Sequence, residues 1–232
     1  MTSKPERVFL VDLDGTLLAG NSFHLWLAFM LGKGGQSIGF WSHLLSRMRL
    51  CWVAGLRALM LIDHAALKKA VQKEWGLVFE ESQKDNLTAF LDILVSRLDA
   101  TVMAEVKGGQ AKGSVAVLTT AAAAEYAVPL GAALGFDESV ATPAFGDGGW
   151  CHNIGDKKKE RTLDALRRRG WDELEKILFT DHVDDVPLMD VVQEVCIVTE
   201  RWEQADRLLS LVPDGVRKRV HLRRERNAHD GR

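Results

Sequence analysis

The chain is poor in cysteine, with three in 232 residues. Cys51, Cys151 and Cys196 stand far apart, and no CxxC pair exists. That pattern excludes a disulfide framework and the common zinc and redox motifs, and it points to a reducing compartment with buried thiols. No uncharged apolar run approaches the roughly 18 residues a membrane-spanning helix needs. The opening MTSKPERVFLVDLDG has no apolar stretch other than the one that reads as a first strand, so no secretory leader is expected. A cytoplasmic setting follows as the expectation. An excess of charge of one sign is missing too, since the net charge is -2, which selects no class of partner. The one asymmetry is RKRVHLRRER, where Arg217 to Arg226 carry six basic side chains against one acid. It reads as a solvated basic tail, 217–232, and no nucleic-acid partner is expected. His24, His43, His64, His152 and His221 show no metal-ligand spacing and read as structural or exposed.

What the sequence does have is a change of texture. Val8 to Val11 is a short β-branched run, expected as a buried parallel strand. From about Asn21 to Leu98 apolar residues recur at helical spacing through four segments with no strand between them. Strand-and-helix alternation then resumes. The strand candidates are Val115–Leu118, Ser139–Thr142, Ile177–Phe179 and Val195–Val198. An alanine-rich helix running to Leu134 and a charged helix Gly155–Arg169 are interleaved. The expected fold is therefore α/β, a doubly wound, Rossmann-like parallel sheet, with an inserted all-helical domain. Residues 1–20 and 100–216 form the core and 21–99 the insertion.

Polar clusters fall where strands end or helices begin, which is where open α/β sheets bind ligands. Asp12 and Asp14 follow the first strand, Thr119 and Thr120 the second, and Asp181 and Asp185 a later one. Lys157, Lys158 and Lys159 open the charged helix. Several acids and a base at one sheet edge repel or compete unless a cation is shared among them. Mg²⁺ suits a few carboxylate oxygens with water and phosphate.

Four segments in order, VFLVDLDGTL, VAVLTTAAAAEYAVPL, NIGDKKKERTL and ILFTDHVDDVPLM, resemble the four motifs of the haloacid dehalogenase (HAD) superfamily. The helical insertion resembles the small cap of its phosphoserine-phosphatase-like branch. The resemblance implies a Mg²⁺-dependent phosphatase acting on a small-molecule phosphate ester. Asp12 would be the nucleophile that forms an aspartyl-phosphate, and Asp14 the acid and base. Thr120 and a lysine would hold the phosphoryl oxygens. Asp12, Asp14 (through its carbonyl) and Asp181 would hold the metal, and Asp185 would hold it or orient its ligands. Thr120 is preferred to Thr119 because Pro129 falls nine positions on, as in the family. Spacing from Gly155 favours Lys158, whereas helical phase to Leu163 and Leu166 favours Lys159; Lys158 is preferred. His182 stands where the family often has a small residue.

A phosphotransferase or mutase on the same motifs, or a non-catalytic binding protein, are the alternatives. The segment Phe40–Ile62, rich in Trp, Leu and Met with Arg47, Arg49 and Arg57 interspersed, has two readings. It is either a helix pair packed into the cap core, or an arginine-edged surface for a lipid phosphate or a membrane. An apolar cap face could also mediate a homodimer.

Overall fold

The computed structural model describes residues 5–32, 40–78, 83–146 and 148–223. Strand β1 (Arg7–Val11) lies at the centre of a six-stranded sheet. The others are β2 (Val115–Ala123), β3 (Glu138–Thr142), β4 (Glu175–Thr180), β5 (Glu194–Thr199) and β6 (Arg217–Leu222), in spatial order β3-β2-β1-β4-β5-β6. Every pairing is parallel. The chain order turns back at β1, with β2 on one side and β4 on the other. That arrangement opens a crevice at the carboxyl ends of these strands.

Alternation along β1 sends its side chains to two cores. Phe9 and Val11 join a cluster with Phe179, Trp26, Trp75, Phe90 and Tyr126. Val8 and Leu10 join another with Leu178, Ala165, Leu166, Leu188 and Leu208. Burial on both faces is why the strand reads as an unbroken apolar run. Helix α6 (Ala124–Ala133) joins β2 to β3, and the second face is covered by α7 (Gly155–Arg169), the short α8 (Val186–Met189) and α9 (Trp202–Leu209). Helix α7 ends on Gly170 in the left-handed region after Arg167, Arg168 and Arg169, whose charges suit the carbonyl end of a helix.

Between β1 and β2 lie α1 (Ser22–Leu31), α2 (Phe40–Ala58), α3 (His64–Val78), α4 (Gln83–Val95) and α5 (Ala100–Ala111). The first four match the four helical segments read from the sequence. The strands of chain entering and leaving this block run side by side, with Leu18 bridged to Leu98 and the Asp99 N–H donating to the Leu17 carbonyl at 2.8 Å. The block has no separate interior: Trp26 packs on Trp75 and Tyr126 with ring centres 5.3 and 5.0 Å apart, in the same cluster as the sheet.

Several expectations need correction. Helix α2 is one helix, and it does not pack all round into the insertion. Ser46 and Leu50 face inward, but Trp41, Met48 and Trp52 are 72%, 62% and 70% exposed. Their spacing of seven and four residues places them along one outer stripe. The basic run is not a solvated tail as far as Leu222. It forms β6, registered on β5 from Glu194↔Arg217 to Thr199↔Leu222. Its cations meet acids placed by other elements: Arg217 pairs with Glu194 at 3.1 Å and Arg219 with Glu105 at 2.7 Å. Charges on an edge strand also discourage further strand addition. Residues 224–232 lie outside the described residues. Strand β2 runs past Thr120 to Ala123, with a register shift against β3 between Thr119 and Ala123.

Candidate active site

Asp12 directly follows β1, and its N–H donates to the Phe179 carbonyl of β4 at 3.0 Å. The loop then turns through Gly15, at φ +78°. A Cβ there would come within 1.9 Å of the Asp181 carboxylate. Glycine at position 15 is thus what lets the β1 and β4 loops close on each other. The Thr16 hydroxyl donates to Asp181 Oδ1 at 3.0 Å, which fixes that carboxylate.

Lys158 reaches the cluster from the first turn of α7 and is 3% exposed. Its Nζ donates to Asp12 Oδ1 at 2.7 Å and lies 2.7 Å from Asp185 Oδ1. The Thr180 hydroxyl donates to Asp185 Oδ2 at 2.7 Å. Lys159 is half-buried and lies 3.9 Å from Asp190, away from the cluster. Helical phase misled because the buried stripe of α7 is Lys158, Thr162, Ala165 and Leu166, one position off the stripe through Leu163. The Thr119 hydroxyl is spent on Thr162 at 2.7 Å. Thr120 lines the cleft, and its Oγ1 accepts the Ala122 N–H at 3.0 Å, which leaves the hydroxyl proton to donate elsewhere. Asp14 also lines the cleft and accepts the Ser22 N–H, at the start of α1, at 2.6 Å. His182 is exposed on the rim and pairs with Asp184 at 3.1 Å.

Asp12, Asp14, Thr120, Lys158, Asp181 and Asp185 share one cleft of about 520 Å³. Burial lifts the Asp12 carboxyl above its usual range against the pull of Lys158, with Asp185 and Asp181 adding to the rise. Burial raises Asp14 as well and pushes Asp181 up to about 6. For Lys158, burial works against the charge, but Asp12 and Asp185 together outweigh it and hold the ammonium charged. The cluster therefore has more carboxylate than its own cation can balance.

That imbalance fits a hard divalent cation. The available donors are carboxylate oxygens, the class Mg²⁺ prefers. Among the described residues no three His, Cys, Asp or Glu side chains already form a closed cage. An ion held by one or two carboxylates, with water and a phosphate completing its shell, needs no such cage.

Sequence reasoning missed three groups at the site. Asn153, fully buried, donates through Nδ2 to the carbonyls of Thr120 and Val140 at 2.8 and 3.2 Å and ties the ends of β2 and β3 together. Arg223, immediately after β6, donates to the Gly15 and Thr16 carbonyls at 3.0 and 2.6 Å and so braces the turn that carries Asp12 and Asp14. Lys68 of α3 lines the cleft with His64 and His152, two histidines that their sequence spacing had set aside. Asn153 opens the third motif segment but was given no role there, and no motif marks Arg223 or Lys68. Each earns its place through a contact far away along the chain.

A doubly wound parallel sheet with acids and a lysine at its switch point defines a class of phosphate-handling α/β proteins. A sequence profile of the haloacid dehalogenase-like hydrolases matches residues 9–190, and the chain belongs to that family. No curated protein matches it. Among solved structures, a protein of unknown function from Bordetella pertussis Tohama I superposes with a TM-score of 0.71 at 19% identity, over 93% of this chain and 99% of that one. A HAD-family hydrolase from Salmonella enterica gives 0.56 at 13% identity, over 91% and 73%. A phosphoserine phosphohydrolase-like protein from Francisella tularensis gives 0.53 at 18% identity, over 93% and 94%. These likenesses establish the shared fold.

Proposed function

We propose that the protein is a magnesium-dependent phosphomonoester phosphatase that carries the phosphoryl group on Asp12. One observation supports this above the rest: a single buried ammonium, Lys158, joins Asp12, just after β1, to the acid Asp185 that follows β4. A purely structural ion pair would not need Asp14 and Asp181 in the same cleft, where burial makes their charge costly.

In this reading Asp12 attacks phosphorus in line and is phosphorylated to an aspartyl-phosphate as the P–O bond to the leaving alcohol breaks. Asp14 protonates the departing alkoxide, then takes a proton from the water that hydrolyses the aspartyl-phosphate. Lys158 and the Thr120 hydroxyl hold the charge that builds on the phosphoryl oxygens. Asp12, Asp181 and the Asp14 carbonyl would hold Mg²⁺, with Asp185 binding it or orienting its ligands, and the ion when bound would neutralise charge between the nucleophile and the phosphate. The helical block narrows the cleft with Phe23 and His64, limiting bulk water.

The test is hydrolysis of an aryl phosphate with and without Mg²⁺. Magnesium-dependent turnover supports the reading. Turnover in which an added alcohol competes with water for the phosphoryl group would point to a phosphotransferase instead. Silence toward aryl and metabolite phosphates together would favour a binding protein. The exposed stripe on α2 favours one second reading of the substrate, a lipid phosphate presented at a membrane. A screen that includes lipid phosphates on anionic vesicles decides between them.

A further inference from the structure

The cleft holds a second lysine that the mechanism above does not use. Lys68 on α3 is 3% exposed. Its Nζ donates to the Ala121 carbonyl at 2.7 Å and to His152 Nε2 at 3.0 Å, and lies 5.7 Å from the centre of the Phe23 ring. All three partners are neutral, and among the described residues Lys68 forms no ion pair. Asp14 and Asp12 act on it only at a distance, and burial depresses the ammonium to about 8 despite them. A buried ammonium without a counter-ion costs stability. In the same cleft the acids are the natural claimants of a divalent cation, which leaves Lys68 with still less opposing charge.

The surroundings of Lys68 suit a ligand group. Burial, Lys68 and His64 push His152 down to about 4, so the ring is neutral. It accepts from Lys68 through Nε2, which places its own proton on Nδ1 as a second donor. His64 stands edge-on to Phe23 with ring centres 5.2 Å apart, so that the Phe23 ring is held beside the cation. Ala121, whose carbonyl Lys68 holds, is the residue after Thr120. The lysine is therefore tied to the strand end that faces the phosphoryl site.

We propose that Lys68, with His152 beside it, receives a second anionic group on the substrate, so that the preferred substrates are phosphomonoesters whose leaving alcohol carries a carboxylate or a second phosphate. The proposal rests on the phosphatase reading for its chemistry, but the site itself can be measured by binding.

The experiment compares three esters of similar size, ethyl phosphate, phosphoglycolate and ethylene glycol bisphosphate, in Mg²⁺ with the full-length natural protein, Lys68→Met and Lys68→Arg. The natural protein is expected to favour an anionic ester over ethyl phosphate by about tenfold or more in kcat/KM, the scale of one charge-assisted contact. Lys68→Met should erase most of that preference, chiefly through KM, and Lys68→Arg should restore part of it. Which anionic ester shows the preference identifies the group, carboxylate or phosphate. Equal losses on all three esters, or no preference in the natural protein, overturns the proposal while leaving the phosphatase reading intact. If none of the three is hydrolysed, calorimetric Kd ratios for the same three esters in the natural protein and Lys68→Met decide the anion site on the same criteria.

Discussion

Two lysines meet in one cleft, and they come from opposite kinds of structure. Lys158 stands on the sheet side, at the start of a helix laid on the core, and its ammonium is fully committed to Asp12 and Asp185. Lys68 stands on the helical side, in the insertion, and among the described residues its ammonium has only neutral partners. The sheet side is set by the chemistry: strand ends can present acids in few ways, and the position of each acid restricts where a lysine can reach it. The helical side is under no such restriction, because any of several helix positions can aim a side chain into the cleft. The sheet side should therefore hold what every substrate of the enzyme needs, and the helical side what distinguishes one substrate from another.

The sharpest way to break this contrast is to remove the sheet-side nucleophile. Asp12→Asn keeps the shape and the Lys158 contact but cannot carry a phosphoryl group, and turnover should fall below roughly a thousandth of the natural rate. Circular dichroism and thermal melting should show the fold retained. Residual activity within tenfold of the natural protein would remove Asp12 from the mechanism and, with it, the sheet-side half of the comparison.

The helical block offers the next largest effect, this time in stability. Trp26 is fully buried between Trp75 and Tyr126, and Trp26→Ala should cost about 3–5 kcal/mol. Trp52 on the outer stripe of α2 should cost no more than about 0.5 kcal/mol when replaced by Ala. Urea melts of both variants check this. A large loss at Trp52 would mean that the stripe is covered in solution and that the isolated chain is the wrong reference.

Gly15→Ala tests how tightly the two loops of the sheet side are fitted. A Cβ would strike the Asp181 carboxylate, and the φ of +78° disfavours any side chain. About 2 kcal/mol of stability should be lost. The Mg²⁺ concentration that half-maximally raises the melting temperature should rise as well, since Asp181 is displaced. An unchanged magnesium midpoint would argue against Asp181 as a ligand.

The sheet side was legible because its residues are neighbours of strand ends, and strand ends are visible as apolar runs. Asp12, Thr120 and Asp181 each follow such a run, and α7 was read at its observed limits. The choices of Thr120 over Thr119 and of Lys158 over Lys159 drew on the family resemblance and on spacing from Gly155. What stayed hidden depends on contacts that sequence distance conceals. Lys68 looks like half of a solvated Lys68-Lys69 pair on an amphipathic helix. Arg223 looks like one cation in a basic tail, yet it reaches a carbonyl 208 residues away. Strand β6 was missed for a related reason: its basic side chains hide a strand whose cations are matched by Glu175, Glu194 and Glu105.

The smallest effect tests that last contact. Arg223 pairs with Asp99 at 2.9 Å while it braces the Gly15 and Thr16 carbonyls. Asp99 also caps α5 by accepting the Thr101 and Val102 N–H groups. Burial alone would raise the Asp99 carboxyl, but the Val102 N–H, the Arg223 guanidinium and the Thr101 N–H outweigh it and hold the carboxyl below its ordinary value. A carboxyl depressed in the folded state stabilises the fold above its unfolded pKa of about 4, and that contribution disappears as pH falls through the folded value. Arg223→Met should therefore cost about 1–2 kcal/mol near neutral pH and lower kcat more than it raises KM, because the braced turn carries Asp12 and Asp14. The gap in stability between Arg223→Met and the natural protein should then narrow as pH drops from about 5 toward 3. A gap that stays constant with pH would show that the arginine acts through the two carbonyls alone, and an unchanged kcat would show that the turn holds its shape without the brace.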